Sequence, residues 1–264
     1  MTSQTIILND RSIIEIGGED RKKFLQGLIT NDINKASKTN LIYAAMLSSP
    51  GRFLYDFFIF EQDEKLIVDC LSARRDEICQ KLNFYKLRAK VEIKKNDELK
   101  VGQNFSEGNF HDPRHPNLGF RIYGNLSETA SPDLYHRRRI TLKIPESEHD
   151  LTYEKSFILE FDFDNLNAID YQKGCYVGQE TTARTHYRGE IRKKLFHIKI
   201  PGKTSVEKNS EITCEGKSSG LILSSVFFES ELHALALVKL SEDLSQNNFT
   251  DKLEFETQKI FIVS

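Results

Sequence analysis

The sequence predicts an α+β protein in which antiparallel sheets carry a small number of helices, and two observations support this class. From Arg52 to Gln103 the apolar pattern follows the order strand, strand, helix, strand, strand, which is typical of one helix packed on an antiparallel sheet. From residue 191 onward the pattern is β throughout, with polar and glycine connectors at the spacing of a barrel or a sandwich. At 264 residues the chain has room for two or three compact units.

The composition is that of a polar globular protein and argues against several classes. A formal net charge of -2 does not favour direct nucleic-acid binding. No apolar run approaches the roughly 20 residues that cross a bilayer, which predicts no membrane contact. The first ten residues resemble neither a signal peptide nor a transit peptide. We therefore expect a cytoplasmic protein of bacterial type.

The N-terminal part begins with two predicted strands, Thr5 to Leu8 and Ser12 to Ile16, joined as a hairpin by the turn at Asn9 and Asp10. A helix is expected after Gly18, with acidic residues in its first turn. Its apolar positions recur on one helical face: Phe24, Leu25, Leu28 and Ile29. A further strand is predicted from Leu41 to Leu47.

The central unit contains a predicted hairpin of Phe53 to Phe60 with Lys65 to Cys70. A helix follows, for which Ser72 is a suitable N-cap. Two short strands, Lys90 to Lys94 and Leu99 to Gln103, complete the pattern.

The second half opens with a proline-containing loop from His111 to Gly119 and a helix that begins at Pro132 and ends before Pro145. That helix carries the basic run Arg137 to Arg139, interpreted either as a solvated face or as a clamp for carboxylates or phosphates. A short strand is predicted from Phe157 to Phe161. The C-terminal strand candidates are Lys194 to Ile200, Glu211 to Cys214, Leu221 to Val226, Leu232 to Leu240 and Leu253 to Val263.

Chemistry-bearing residues are densest in the segment Lys173-Gly174-Cys175-Tyr176-Val177-Gly178-Gln179-Glu180. The other three cysteines lie in strand-like or helix-like segments and are interpreted as buried small hydrophobes. Lys173 and the basic residues around Arg184 would favour a thiolate at Cys175. Gln179 offers a donor and an acceptor and Glu180 a charged acceptor, a pair that suits a heterocycle such as a pterin. From chemistry alone, a buried turn followed by a solvated helix start remains an equally good interpretation.

The order of these residues resembles a known family. The segment matches the signature K-G-C-[FY]-x-G-Q-E of the YgfZ family, folate-binding proteins of the glycine-cleavage T-protein superfamily that act in iron–sulfur cluster assembly or repair. Several other stretches also resemble this family: Phe24 to Asp32, Pro50 to Phe57, Asp112 to Arg114, Leu118 to Gly119 and Arg137 to Glu146. The resemblance runs from near Thr5 to near Glu190.

The resemblance implies a three-part T-protein-like cloverleaf with a central opening for folate, a ferredoxin-like β-β-α-β-β insert and a C-terminal antiparallel β-barrel. It divides the chain into a discontinuous first domain (1–50 plus 110–190), the insert (51–109) and the barrel (191–264). The implied function is that of a tetrahydrofolate-binding accessory protein in iron–sulfur cluster assembly or repair, indirectly supporting tRNA modification enzymes. The implied partners are iron–sulfur assembly proteins or cluster-containing enzymes.

The resemblance also implies roles for individual residues. Cys175 would be the reactive thiol, with no tightly bound metal and with cluster contact only alongside a partner, because clusters usually take about four thiolates. The residues expected near tetrahydrofolate or a related folate are Lys173, Tyr176, Gln179, Glu180, Arg184, Asp56 and Arg139.

Two other functions remain open. True T-proteins carry two successive aspartates, the first of them catalytic, where this chain has Tyr55 and Asp56. A phenol with a pKa near ~10 does not replace an ionised carboxylate, which weakens a folate-dependent one-carbon transferase (aminomethyltransferase-like) and leaves enzyme activity open. The balanced charge weakens a tRNA-binding module.

Overall fold

The computed structural model describes residues 4–189, 191–240, 252–256 and 258–263, which form three antiparallel sheets and four α-helices. The strands of the first two sheets are β1 (Thr5–Ile7), β2 (Arg11–Gly17), β3 (Ile42–Leu47), β4 (Phe53–Gln62), β5 (Lys65–Leu71), β6 (Glu92–Asn96), β7 (Lys100–Asn104), β8 (Phe110–His111) and β9 (Phe120–Gly124). The helices are α1 (Arg21–Gln26), α2 (Arg75–Lys86), α3 (Pro132–Thr141) and α4 (Gln179–Arg188). Within these ranges, no helix has the length and apolarity needed to cross a membrane.

A five-stranded sheet in the order β3-β4-β5-β2-β6 forms the centre of the molecule. It confirms the predicted hairpin of β4 with β5 and the predicted helix α2, which buries Ile78 and Leu82 against one face. The apolar residues of β3 and β4 alternate between two cores, one under α2 and one shared with the second sheet. Because both faces are covered, β4 is apolar almost without interruption.

The second sheet has the order β1-β7-β9-β8 and draws its strands from distant parts of the chain. The predicted N-terminal hairpin is therefore wrong. The turn is present, since the Arg11 N–H donates to the Leu8 carbonyl at 3.0 Å. However, β1 pairs with β7 whereas β2 pairs with β5 and β6, because the two strands bury their apolar faces in different sheets.

The predicted central unit is not a self-contained sheet. Strand β2 lies between β5 and β6, and β7 belongs to the second sheet with β1 and β9. The domain boundaries at residues 50 and 110 remain a prediction, but the hydrogen-bonded sheets do not follow them. Strand β9 falls in a segment for which the sequence analysis predicted no element.

The strand predicted from Phe157 to Phe161 is wrong, because Ile158–Phe161 forms a short 3-10 helix. Its apolar side chains Ile158, Leu159 and Phe161 are all buried. The apolar run in the sequence therefore indicated a buried segment and not an extended strand. A short apolar run does not distinguish a strand from a buried helical turn by periodicity alone.

The C-terminal region is a seven-stranded antiparallel sheet, as the predicted barrel requires. Its strands are β10 (Lys193–Ile200), β11 (Glu211–Cys214), β12 (Lys217–Phe228), β13 (Glu231–Lys239), β14 (Leu253–Phe255), β15 (Gln258–Lys259) and β16 (Phe261–Val263), in the order β15-β14-β11-β12-β13-β10-β16. Strands β15 and β16 are separated only by Ile260 but lie at opposite ends of this order. The sheet therefore curls until its two edges meet, in the form of a nearly closed barrel.

Candidate functional site

The cysteine-bearing segment is clamped onto the chain that follows α1. The Lys173 ammonium donates hydrogen bonds to the carbonyl oxygens of Gln26, Ile29 and Asn31 at 2.8, 2.6 and 2.8 Å. Burial lowers the pKa of Lys173 to about 8. These bonds use all three ammonium hydrogens, so Lys173 holds the loop in place. The expected contact of Lys173 with a folate remains a prediction, and its ammonium already has three protein partners.

Backbone hydrogen bonds extend this docking. The Val177 N–H donates to the Gly27 carbonyl and the Asp170 N–H to the Thr30 carbonyl, each at 3.1 Å. The Thr30 hydroxyl donates in return to the Ala168 carbonyl at 2.6 Å. Two stretches that the sequence analysis singled out separately therefore form one unit.

Two glycines join this unit to the turn before β4. Gly178 has φ +83°, and a Cβ there would lie 2.5 Å from the Ser48 carbonyl oxygen. Gly51 has φ +81°, and its Cβ would lie 2.7 Å from the Thr181 side chain. Both positions thus require glycine for backbone conformation and for space. Gly178 directly precedes α4, so this contact fixes the start of that helix.

Tyr176 and Gln179 fill the inside of the loop. Tyr176 is buried in the main core, which raises the pKa of its phenol to about 12. The Gln179 side-chain oxygen accepts a hydrogen bond from the Tyr176 N–H at 3.3 Å. Glu180 is exposed and makes no hydrogen bond to a described residue. Tyr176 therefore packs inward, whereas the Glu180 carboxylate is open to solvent.

Cys175 is exposed on the outside of this anchored loop. All four cysteines lie in the described ranges; Cys70 is buried, and Cys79 and Cys214 are half-buried. Burial raises the pKa of the Cys70 thiol to about 12 and also raises those of Cys79 and Cys214. Cys70 is therefore buried as predicted, whereas Cys79 and Cys214 are less buried than predicted, and Cys175 is the exposed thiol of the four.

A cleft of about 690 Å³ runs along α4, which continues directly from the cysteine loop. One wall is the helical stripe Thr181, Arg184, Thr185 and Arg188. The rest of the lining includes Arg52, Glu160 and Arg192. The Arg52 guanidinium stacks on the Phe157 ring at 3.6 Å and donates to the Lys155 carbonyl at 2.6 Å. Arg184, one of the predicted ligand-binding residues, thus lines a substantial concave site.

Arg139 does not reach this cleft or the solvent. It is fully buried, and its guanidinium donates to the Asp150 carboxylate at 2.8 Å and to the Ile144 carbonyl at 3.2 Å. The expectation that Arg139 binds a ligand remains a prediction, and its helix turns this side chain into the core, where it already has protein partners. The neighbouring Arg137 and Arg138 are exposed.

Asp56 is also buried, in an ion-pair network that the sequence analysis missed. Its carboxylate accepts hydrogen bonds from the Arg11 guanidinium and the Tyr43 hydroxyl, each at 3.2 Å. Arg11 also pairs with Asp69 at 2.7 Å. The network continues through three further buried residues, Asp112, Arg114 and Arg121. The expected folate contact of Asp56 remains a prediction, and the carboxylate already has protein partners.

Tyr55 points to the other face of β4, under α2. Its hydroxyl donates to the Glu77 carboxylate at 2.6 Å. Burial and this hydrogen bond raise the pKa of Tyr55 well above the usual range. An un-ionised phenol in this environment does not reproduce a catalytic carboxylate, which agrees with the sequence-based argument.

Comparison of the sequence with known proteins identifies relatives of this chain. No protein-family model matches the chain. The chain is 31% identical over 242 residues to "Iron-sulfur cluster assembly factor IBA57 homolog, mitochondrial" of Pyricularia oryzae, covering 79% of this chain and 62% of that protein. It is 33% identical over 227 residues to the protein of the same name in Neurospora crassa, covering 72% and 52%. The mouse "Iron-sulfur cluster assembly factor IBA57, mitochondrial" is 30% identical over 238 residues, covering 74% and 66%.

The chain belongs to the YgfZ family. It spans between 52% and 66% of the length of these curated relatives. Among solved structures, a glycine cleavage system aminomethyltransferase T from Bartonella henselae matches with a TM-score of 0.72 at 10% identity, covering 99% of this chain and 85% of that one. This likeness confirms the T-protein-like fold expected for a YgfZ-family chain.

The full extent of the cleft was not predicted from the sequence. Only the basic residues around Arg184 were noted, although the spacing i, i+3, i+4, i+7 of the stripe from Thr181 to Arg188 places four side chains on one helical face. Arg52 and Arg192 carry no such signal, because only the tertiary structure brings them to the lining of this cleft.

Proposed function

We propose that this protein is an iron–sulfur cluster assembly factor that binds a folate and contributes one cysteine thiolate, that of Cys175, to cluster handling. The proposal rests on one geometric observation, an exposed thiol on a loop clamped by Lys173 and Gly178. It is supported by the names of the relatives, which are cluster assembly factors. Because the loop is already held in one conformation, binding a partner at the thiol does not carry the entropy cost of ordering this loop.

In this proposal the cluster is cargo and the protein is a partial ligand. A cluster takes about four thiolates, and one exposed cysteine supplies a single ligand. The remaining ligands would come from a partner assembly protein, a recipient enzyme or glutathione. Effects on tRNA modification would then follow indirectly, through enzymes that need clusters.

The residues of the cleft and the loop are compatible with a folate. Folates combine a pterin, which needs donors and acceptors, with a glutamyl tail that carries carboxylates. Glu180 is an exposed acceptor at the start of α4, and Gln179 has an amide group beside it. Arg184 and Arg188 supply positive charge further along the same helix. These residues would bind and orient the folate, while Cys175 would act at the adjoining loop.

The two alternatives are less well supported. The buried, un-ionised Tyr55 disfavours an aminomethyltransferase-like reaction. A tRNA-binding module is disfavoured by the net charge of -2. The expected cytoplasmic location stays a prediction, and the mitochondrial names of the relatives support the competing proposal of an organelle. Fractionation of cells that express the tagged native protein distinguishes these locations.

The decisive experiment compares Cys175→Ala with Cys214→Ala. Both variants are expressed in cells that lack the wild-type protein, and the activities of cluster-containing enzymes are measured together with the tetrahydrofolate affinity of each purified variant. We expect Cys175→Ala to retain folate binding and to lose support of the enzymes, whereas Cys214→Ala retains both.

Full restoration of the enzyme activities by Cys175→Ala would refute the thiolate role. Absence of tetrahydrofolate binding in the wild-type protein would refute the folate part of the proposal, independently of the cysteine result.

A further inference from the structure

Two large apolar side chains project into solvent at the end of helix α2. Phe84 is 76% exposed and Leu87 is 85% exposed, which makes them the most exposed large apolar side chains in the described part of the chain. Phe84 follows the buried Leu82 by two positions, and a step of two residues turns a helix by about 200°. Phe84 therefore points away from the core, and packing within the chain does not account for either side chain.

Leu87 also has an unfavourable backbone conformation. It ends α2 with φ +46°, in the left-handed region that favours glycine. The turn continues with the Ala89 N–H, which donates to the Lys86 carbonyl at 2.8 Å. A glycine would form this turn with less strain. Because both the conformation and the exposure of Leu87 are unfavourable in the folded chain alone, this leucine is a candidate for an intermolecular contact.

Cations surround the two apolar side chains. Lys86 and Arg88 flank Leu87 in the sequence, and Lys81 precedes Phe84 by one helical turn. None of these three cations forms a salt bridge with a described residue. Other cations nearby are paired with carboxylates: Arg75 with Asp97, Lys90 with Glu19, Lys94 with Glu92 and Lys95 with Asp76. The nearby carboxylates thus have partners already, and the three remaining charges favour an anionic surface.

We propose that this α2 tip, defined by Lys81, Phe84, Lys86, Leu87 and Arg88, binds the surface of a membrane that contains anionic lipids. Phe84 and Leu87 would lie at the boundary between headgroups and acyl chains, and the cations would contact lipid phosphates. Projecting apolar side chains beside lysine and arginine suit this boundary, which accepts them without a matching shape. A protein partner would instead need a pocket shaped for both side chains.

The proposed contact is peripheral and independent of both folate binding and Cys175. The sequence-based expectation of no membrane contact concerned apolar runs long enough to cross a bilayer, and this proposal would correct it for the protein surface. The net charge of the chain is -2, so attraction to an anionic surface would arise locally at the α2 tip.

The test measures co-sedimentation of the full chain with vesicles of phosphatidylcholine, alone or with about a third of phosphatidylglycerol. We expect binding to the anionic vesicles only, weakened by salt at about 0.5 M. Leu87→Gly should lower the partition coefficient at least about fivefold, because glycine suits the turn and lacks the apolar side chain. Arg88→Gln should lower it about fivefold.

Matched controls replace exposed residues outside the α2 tip. Phe227→Ser removes an exposed aromatic side chain of β12, and Lys38→Gln removes an exposed cation. Both should bind the anionic vesicles as the wild type does. Urea unfolding of Leu87→Gly should match or exceed the stability of the wild type, so that lost binding is assigned to the missing side chain.

Three results would overturn the proposal. The first is the absence of wild-type binding to the anionic vesicles, and the second is equal binding to the neutral ones. The third is unchanged binding in both Leu87→Gly and Arg88→Gln. If the wild type binds no vesicles and Leu87→Gly still fails to support cluster-containing enzymes in cells, the α2 tip belongs to a protein interface instead.

Discussion

Gly178 lies against Gly51 so closely that a Cβ built on Gly178 would be 3.2 Å from the Gly51 Cα. This contact joins the turn before the central strand β4 to the end of the cysteine loop. The loop is thereby held from two sides, by glycine packing at one end and by the Lys173 ammonium at the other. The presentation of Cys175 thus depends on the buried Lys173 and Gly51 and on the half-buried Gly178.

Gly178→Ala should destabilise the protein, because it combines a φ of +83° with a contact of 2.5 Å to the Ser48 carbonyl oxygen. We expect a loss of about 1–3 kcal/mol in the free energy of unfolding. Gly174→Ala is the matched control, since a Cβ there meets nothing within 4 Å. Urea unfolding of both variants checks this expectation. Equal stability of the two variants would contradict the packing argument.

Arg139→Met should be strongly destabilising, whereas Arg137→Gln on the same helix should not. The first substitution removes the partner of the buried Asp150 carboxylate, for which a loss of about 3–5 kcal/mol is typical. Arg137 is exposed, and its replacement should change stability by less than about 0.5 kcal/mol. Thermal unfolding measures both. A stable Arg139→Met variant with reduced ligand affinity would instead favour a binding role for Arg139.

Acid should weaken the barrel through a pair of buried histidines. His197 Nε2 and His233 Nδ1 are 2.9 Å apart, so one must donate and the other accept. Burial lowers the pKa of His197 to about 4 from the usual 6.5, and burial also lowers that of His233. Between these pH values the unfolded chain binds more protons than the folded one. Stability should therefore fall as the pH drops from 6.5 towards 4.

The measurement is urea unfolding at pH 7.5 and pH 5 of the wild type, of His197→Gln and of His111→Gln, an exposed control. His136 contributes in the same pH window, because burial lowers its pKa to about 4. We therefore expect His197→Gln to reduce the acid sensitivity by about 1–2 kcal/mol without abolishing it. An unchanged pH dependence in His197→Gln would show that the pair does not titrate as argued.

Thiol labelling should rank the cysteines by exposure. Cys175 should react fastest with a thiol reagent in the folded protein, and Cys70 only after unfolding, because its thiol is buried with a raised pKa. Cys175→Ser should abolish the fast phase, whereas Cys79→Ser should leave it unchanged. Persistence of the fast phase in Cys175→Ser would place the accessible thiol elsewhere.

Local sequence patterns were sufficient for elements whose turns and caps are encoded nearby. The hairpin of β4 with β5 and most barrel strands were predicted close to their observed bounds. The helix α2 was also predicted, but Ser72 is not its N-cap, because Ser72–Arg74 forms a 3-10 helix and α2 begins at Arg75. The pairing partners of β1 and β2 were predicted wrongly, although the predicted turn between the two strands is present. Strand pairing is decided by which sheet buries each apolar face, and that choice depends on residues up to a hundred positions away.

Only part of the candidate site could be predicted from the sequence. The motif and its family resemblance identified Cys175, Gln179, Glu180 and Arg184 as a group, because their order along the chain is itself the signal. The inward direction of Lys173, Arg139 and Asp56 could not be predicted. A charged side chain in the sequence looks the same whether it will meet solvent, three carbonyl oxygens or a buried ion-pair partner.

The sequence by itself determined the α+β class, the family and the presence of a thiol-bearing loop at residues 173–180, since these follow from residue order and local periodicity. The tertiary structure alone decided which charges are available to a ligand. Packing placed the Lys173 and Arg139 cations against buried acceptors and left Arg184, Arg188 and Arg192 lining a cleft, where none of them forms a salt bridge with a described residue. The physical reason is that burial and pairing arise from tertiary contacts. These join Lys173 to a carbonyl 144 positions away and Arg139 to a carboxylate 11 positions away, and local periodicity predicts neither contact.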